Sequence, residues 1–523
     1  MTERSHSLAR RLGDAIEDLE KRFNVAYWES QVESSPENDK RREDLELQLR
    51  ELLSDREALA HVEAALEEEI HDPMIERELQ VLRLHLRANQ MDADERTQIV
   101  KLSTAIESEF ASFRPQLGDE SLTENQILDL LRTSDDSAER EKVWRASKAI
   151  GGEVSARVRE LVRVRNEAAR NLGFANAYSM ELELQELDEE WLFERMADLE
   201  RLTDEPFRRW KSALDENLKK RFDTTELYPW HYADPFFQDL PPDGRVSLNE
   251  VFGDASAKDL AEKTFAAWDM DLSSVLDKSD LFPRERKCQH AFCINVDRQG
   301  DVRILANVVP GEDWISIMLH ESGHAAYDIA IDDKLPYVLR DVAHTFVTEA
   351  IALLSGRLIR NKEWLTQIAG VDETRVAPLI DELKRLNAAQ SVQFARWGLV
   401  MVHFERALYD DPEADLDALW WENVERFQFV KRPADAPRGG WASKIHIACA
   451  PVYYQNYLLG DMLASQLAAT AEAECGGLVG SEEAGRMLKE RVFKPGALMP
   501  WPALIEEATG KPLGADDFAK DFA

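Results

Sequence analysis

Along most of the chain, apolar residues recur at helical spacing with charged residues between them. Leu45, Leu49, Leu52 and Leu53 fall at i, i+4, i+7 and i+8, one apolar stripe on an otherwise polar helix. Ser54-Asp55-Arg56-Glu57 has capping-box spacing and predicts a helix from Ala58 to Ile70. Thr123-Glu124-Asn125-Gln126 predicts a second such start, ahead of Ile127-Leu128-Asp129-Leu130-Leu131. A further helix, Val154 to Asn171, ends at Leu172-Gly173, where glycine suits the left-handed position past a helix end. The many charges on these helices read as solvated faces. The sequence contains no internal repeat and no low-complexity segment.

Two stretches break this rhythm. Leu227 to Arg245 holds four prolines among aromatics, which no regular helix accepts, so it predicts an ordered crossing loop. Within Cys288 to Val309, His290 to Val296 and Val302 to Val308 predict two short strands, joined by a turn at Arg298-Gln299-Gly300-Asp301. Helical spacing then resumes. Trp314 to Leu319 and Ala325 to Tyr327 are apolar, so the helix they flank is buried, although it carries His320, Glu321 and His324.

Composition narrows the class. Of 523 residues, 44% are hydrophobic and 31% charged, which describes a globular chain long enough for a large core. A net charge of −36 would repel a phosphate backbone and argues against nucleic acid as a partner. Four cysteines, Cys288, Cys293, Cys449 and Cys475, make neither a disulfide framework nor a cysteine-only zinc site. Met1 to His6 runs into charged helix-forming sequence with no apolar core of a signal peptide, and no apolar run approaches a membrane span. A cytoplasmic location is the expectation.

The candidate chemistry lies in His320-Glu321-Ser322-Gly323-His324. On a helix, residues i and i+4 share a face, so both imidazoles reach one metal ion and Glu321 stands close to a water there. Hydrolytic zinc takes a third protein ligand. His344 and Glu349 are the candidates downstream. Glu349 is the better one, because a lone carboxylate in the apolar helix Phe346 to Leu354 is costly unless it is paired or metal-bound. The alternative partner for Glu349 is Arg340 or Arg357.

Taken together, these motifs resemble the angiotensin-converting-enzyme family of zinc dipeptidyl carboxypeptidases, and more loosely the thimet-type oligopeptidases. The resemblance is carried by His290-Ala291 ahead of the motif, Asp301 to Ile304, Leu335-Pro336, Arg340, Phe346 to Ile351, Lys444-Ile445-His446 and Tyr454-Gln455-Asn456-Tyr457. Trp144 to Tyr178 resembles that family's N-terminal helices, and the clear likeness runs over roughly residues 140 to 465. It implies that His320, His324 and Glu349 bind one zinc ion and that Glu321 is the general base and acid. It implies an oxyanion partner in Tyr457 with His446. His290 and the Ala291 backbone would hold the substrate chain, and Lys444 and Tyr454 its C-terminal carboxylate. Counting from His446 without an insertion gives Tyr453 and Asn456 instead; one inserted residue gives Tyr454 and Tyr457 and preserves the Tyr-x-x-Tyr spacing.

Three departures bear on specificity. The family's carboxylate clamp includes a Gln just after a Trp, where Trp230-His231-Tyr232 puts a Tyr. Asn456 replaces an Arg that binds chloride, so chloride activation is not expected. Leu353 replaces an acidic residue one turn past the third ligand. The expected fold is mainly α, a two-lobed helical gluzincin metallopeptidase with a deep cleft and a small sheet beside the metal helix. It is read as one peptidase unit over 1–523, with an N-terminal helical lid region at 1–135 and a catalytic region at 136–523. The expected activity is hydrolysis of short peptides with release of C-terminal dipeptides. The alternatives are an endo-acting oligopeptidase and a non-catalytic helical binding protein with structural zinc. The oligomeric state is left open.

Overall fold

A computed structural model describes residues 2–118, 120–240 and 247–522. Among them the chain is mainly α, with two two-stranded antiparallel sheets: Gln116–Leu117 with Glu120–Ser121, and Phe292–Asn295 with Val302–Leu305. The chain divides into two compact units, each built from separated stretches. The first comprises residues 1–90, 246–384 and 459–518; the second comprises 91–245, 385–458 and 519–523. No helix among the described residues is long and apolar enough to cross a membrane.

In the first unit the amphipathic helix Thr2–Val32 presents Ala9, Leu12 and Ile16 to a core shared with Val62, Leu79, Leu82 and Leu86. Leu335, Val338 and Leu339, which follow the metal motif in sequence, close the same core. The motif helix, Glu312–Ala330, starts where Asn249 Oδ1 accepts the Glu312 amide at 2.8 Å. It packs on the helix Thr345–Gly356 and on both strands of the second sheet. Gly323 permits the helix contact. A Cβ there would lie 2.9 Å from Ala352 Cα and 3.0 Å from Ile351 O, closer than atoms approach.

In the second unit the longest helix, Ser137–Asn171, starts on an Asp136 cap well before the predicted Val154 and ends at Gly173 with φ 91°, as its sequence indicates. Arg140 reaches from it to the carbonyls of Trp230 and Tyr232, which fixes the proline-rich loop. That loop is irregular apart from a 3-10 turn at Pro229–His231, and 241–245 of the predicted stretch lie outside the described residues.

Other boundaries also differ from the sequence expectation. The helix predicted over Ala58 to Ile70 spans Arg56–Leu66, and its cap is Asp55, not Ser54, because the Asp55 carboxylate takes the amides of Glu57 and Ala58. The two strands cover only Phe292–Asn295 and Val302–Leu305, since the chain turns away at Val296 to form the hairpin and beyond Leu305 to reach the motif helix. His290 and Ala291 therefore stand just before the first strand and not within it.

Candidate metal and peptide sites

In the first unit the structure brings His320, His324 and Glu349 together, their ligand atoms all within 4.8 Å of one another. Glu349 Oε1 lies 3.8 Å from His320 Nε2, and Oε2 lies 3.7 Å from His324 Nε2. Two helices make this geometry: i and i+4 on the motif helix face the fifth residue of Thr345–Gly356 across the Gly323 contact. The sequence alternatives for Glu349 have other partners. Arg357 pairs with Asp461, and the Arg340 guanidinium donates to the Leu335 carbonyl. His344 is the N-cap of the same helix, where Nδ1 accepts the Phe346 amide at 3.1 Å.

The electrostatics suit a dication. Burial pushes His320 down to about 4 and His324 to about 3, so both rings are neutral near pH 7 and keep a lone pair to share. Burial, with Asp461 behind it, raises Glu349 to about 7, and burial with Glu349 raises Glu321 to about 8. Buried carboxyls that keep their protons near neutrality, beside neutral imidazoles, form a donor set that suits a metal ion able to displace those protons. His324 Nδ1 meets Thr348 Oγ1 at 2.7 Å, which turns Nε2 toward Glu349. Thr348 thus fills the orienting role that Leu353 leaves vacant in the sequence.

Glu321 and His324 open onto a cavity of about 500 Å³ that Ala291, Cys293, Asp328 and Thr348 also line. The backbone amide of Cys293, on the first strand, lies close enough to the Glu321 carboxylate to offset part of the rise that burial causes. His290 is exposed. At the far wall Arg298, in the hairpin turn with φ 54°, bridges Glu20 at 2.9 Å and Asp341 at 2.8 Å and covers the Tyr337 ring.

In the second unit Lys444, His446, Tyr454 and Tyr457 gather in one cluster. The Lys444 amine donates to Gln238 Oε1 at 2.8 Å and stands 6.0 Å from the centre of the Tyr454 ring. The His446 ring lies 5.4 Å from Tyr454, which lies 5.5 Å from Tyr457. The Tyr454 hydroxyl accepts from Trp397 Nε1 at 3.2 Å. Burial lowers the Lys444 amine and pushes His446 down to about 4; His446 Nδ1 is buried with no hydrogen-bond partner among the described residues. Tyr453 also packs on Tyr457, at 5.2 Å between centroids, and Asn456 Nδ2 donates to Gln185 Oε1 at 3.1 Å.

Tyr232, the residue aligned with the family's Gln, is occupied elsewhere. The Tyr232 hydroxyl is engaged by Lys211 at 2.8 Å and Asp215 at 3.0 Å, and the amide that meets Lys444 is Gln238, six residues later in the loop. Nothing in the sequence marks Gln238, because its partner is more than 200 residues away and the loop has no period to read. Thr348 carried a signal: it is the one polar neighbour of Glu349 in an apolar helix.

Comparison with known proteins agrees with this chemistry. The description "Angiotensin-converting enzyme" matches residues 2–210, the N-terminal helices, and stops short of the metal motif. No individually curated protein matches the chain. The description "Peptidase family M3" matches residues 130–523, a stretch that includes His320, Glu321, His324, Glu349, Lys444, His446 and both tyrosines. The chain belongs to peptidase family M3 and is a metallopeptidase.

Proposed function

We propose that the protein is a zinc peptidase that acts on short peptides and releases C-terminal dipeptides. The observation that carries the hydrolytic part is the convergence of His320, His324 and Glu349 with Glu321 beside them. A zinc ion held by those three residues supplies a Lewis acid for the scissile carbonyl and lowers the pKa of a water. Glu321, beside the Cys293 amide, accepts a proton from the attacking water and returns it to the leaving amine. His290 and the Ala291 backbone hold the substrate chain. Tyr457 and His446 donate to the oxyanion as the carbonyl carbon becomes tetrahedral.

Release of dipeptides rests on Lys444, Gln238 and Tyr454. An ammonium and an amide side by side make charge-assisted bonds to a free C-terminal carboxylate, and Gln238 restores the amide missing from the sequence alignment. Lys444 lies over Phe236 at 5.3 Å and Trp397 at 5.5 Å, with Tyr454 the tyrosine it meets, at 6.0 Å, which supports the Tyr454 and Tyr457 register over Tyr453 and Asn456. A second reading, an endo-acting oligopeptidase, is favoured by the family match over residues 130–523 in place of the dipeptidyl family over the same stretch. Amidating the C-terminus of a test peptide separates them. The carboxypeptidase loses most of its activity on the amide; undiminished cleavage assigns the endo mode. For the hydrolytic role itself, Glu321→Gln with zinc retained should lower kcat by at least about 100-fold. Unchanged turnover would remove Glu321 from the reaction.

A further inference from the structure

Val452, in the turn between the short helix His446–Cys449 and the long helix Tyr454–Cys475, adopts a conformation that its side chain opposes. Its φ is 51°, in the left-handed region that a β-branched residue rarely enters. It is fully buried and held at both ends by buried side chains. Its amide donates to Glu405 Oε1 at 2.7 Å, and its carbonyl accepts from Gln455 Nε2 at 2.6 Å and Gln185 Nε2 at 3.2 Å. Glu405 projects from the helix Ile380–Asp410 and is 2% exposed; Gln455 is 1% exposed. A buried carboxyl committed to one backbone amide marks a turn whose shape is imposed from outside.

That turn lies between groups whose relative placement matters. His446 precedes it by six residues, and Tyr454 and Tyr457 occupy the first turn of the helix that follows. It also falls in the stretch that holds the one additional residue counted between His446 and the tyrosine pair. Relaxing Val452 to negative φ would redirect the chain just ahead of Tyr454, and the first helical turn would rotate away from His446.

We infer that Glu405, helped by Gln455, is a positioning residue for the peptidase reaction: by holding Val452 left-handed it fixes where Tyr454 and Tyr457 stand relative to His446. The inference rests on the reading of Tyr457 as oxyanion donor. Glycine at 452 keeps the turn without strain. Burial pushes Glu405 up to about 8, so its carboxyl is largely protonated near neutrality and Gln reproduces its acceptor.

The test is a kinetic cycle on the zinc-loaded enzyme with an unblocked short peptide. Tyr457→Phe should lower kcat by about 100-fold. Glu405→Ala should lower kcat by about tenfold or more with zinc content unchanged, and any rise in KM reports the accompanying shift of Tyr454. Glu405→Gln and Val452→Gly should stay within about threefold of the parent. In the Tyr457→Phe background, Glu405→Ala should cost less than about threefold, because the group it places is gone. If Glu405→Ala fails to fold, Gln455→Met, which removes the shorter of the carbonyl's two donors, takes its place in the cycle. Full additivity with Tyr457→Phe, or a parent-like Glu405→Ala, overturns the inference alone. A parent-like Tyr457→Phe overturns the oxyanion reading and the inference with it.

Discussion

His324 turns Nε2 toward Glu349 because Thr348 occupies Nδ1, and that one hydroxyl decides which nitrogen is offered to a metal. Thr348→Val keeps the shape and removes the hydrogen bond. Zinc affinity should fall by about 10- to 100-fold, as is usual when the outer partner of a ligating imidazole is lost. Competition with a chromogenic chelator measures it. At this scale the sequence was legible where chemistry and spacing coincide. His320 and His324 are four residues apart on a helix, and Glu349 is a carboxylate in an apolar one, so each announces its role without a fold. Gln238 does not, since its meaning depends on a lysine brought to it by the fold.

Helices were legible in their interiors and less so at their ends. The apolar stripe of a helix repeats and can be read from any part of it, whereas a cap is decided by a single competition such as Asp55 over Ser54. The hairpin was shorter than its apolar run suggests, because Arg298 and the residues around it are spent on the turn and on ion pairs. Between elements, Gly323 is where the two helices of the candidate metal site come too close for a side chain. Gly323→Ala should destabilise the protein by about 1 to 3 kcal/mol through overpacking and loosen the ligand geometry. Urea unfolding with zinc content measured in parallel would show both; an unaltered midpoint would mean that the helices can separate without cost.

For the whole molecule, charge and metal set the expectations. A net charge of −36 attracts cationic peptides over a distance of about 10 Å at 0.1 M salt. kcat/KM for a lysine-rich peptide should therefore fall with added salt more steeply than for a neutral peptide of the same length. Metal binding favours the folded state only, by about 4 kcal/mol at a thousandfold excess over Kd. Chelation should lower the thermal midpoint and one equivalent of zinc should restore it. An apoprotein with the same midpoint would place the metal outside the folding equilibrium.

The Arg298 bridge makes the first helix more than a cover. Its guanidinium is held by Glu20 from that helix and by Asp341, only a few residues ahead of the helix that carries Glu349. Removing the first helix by proteolysis or by genetic shortening would strip Glu20 from the Arg298 guanidinium and leave it only the half-exposed Asp341. It would also uncover the core at Leu335 to Leu339. A protein shortened past the first helix should thus lose part of its grip on the metal, and any attempt to change its substrate range should leave that helix intact.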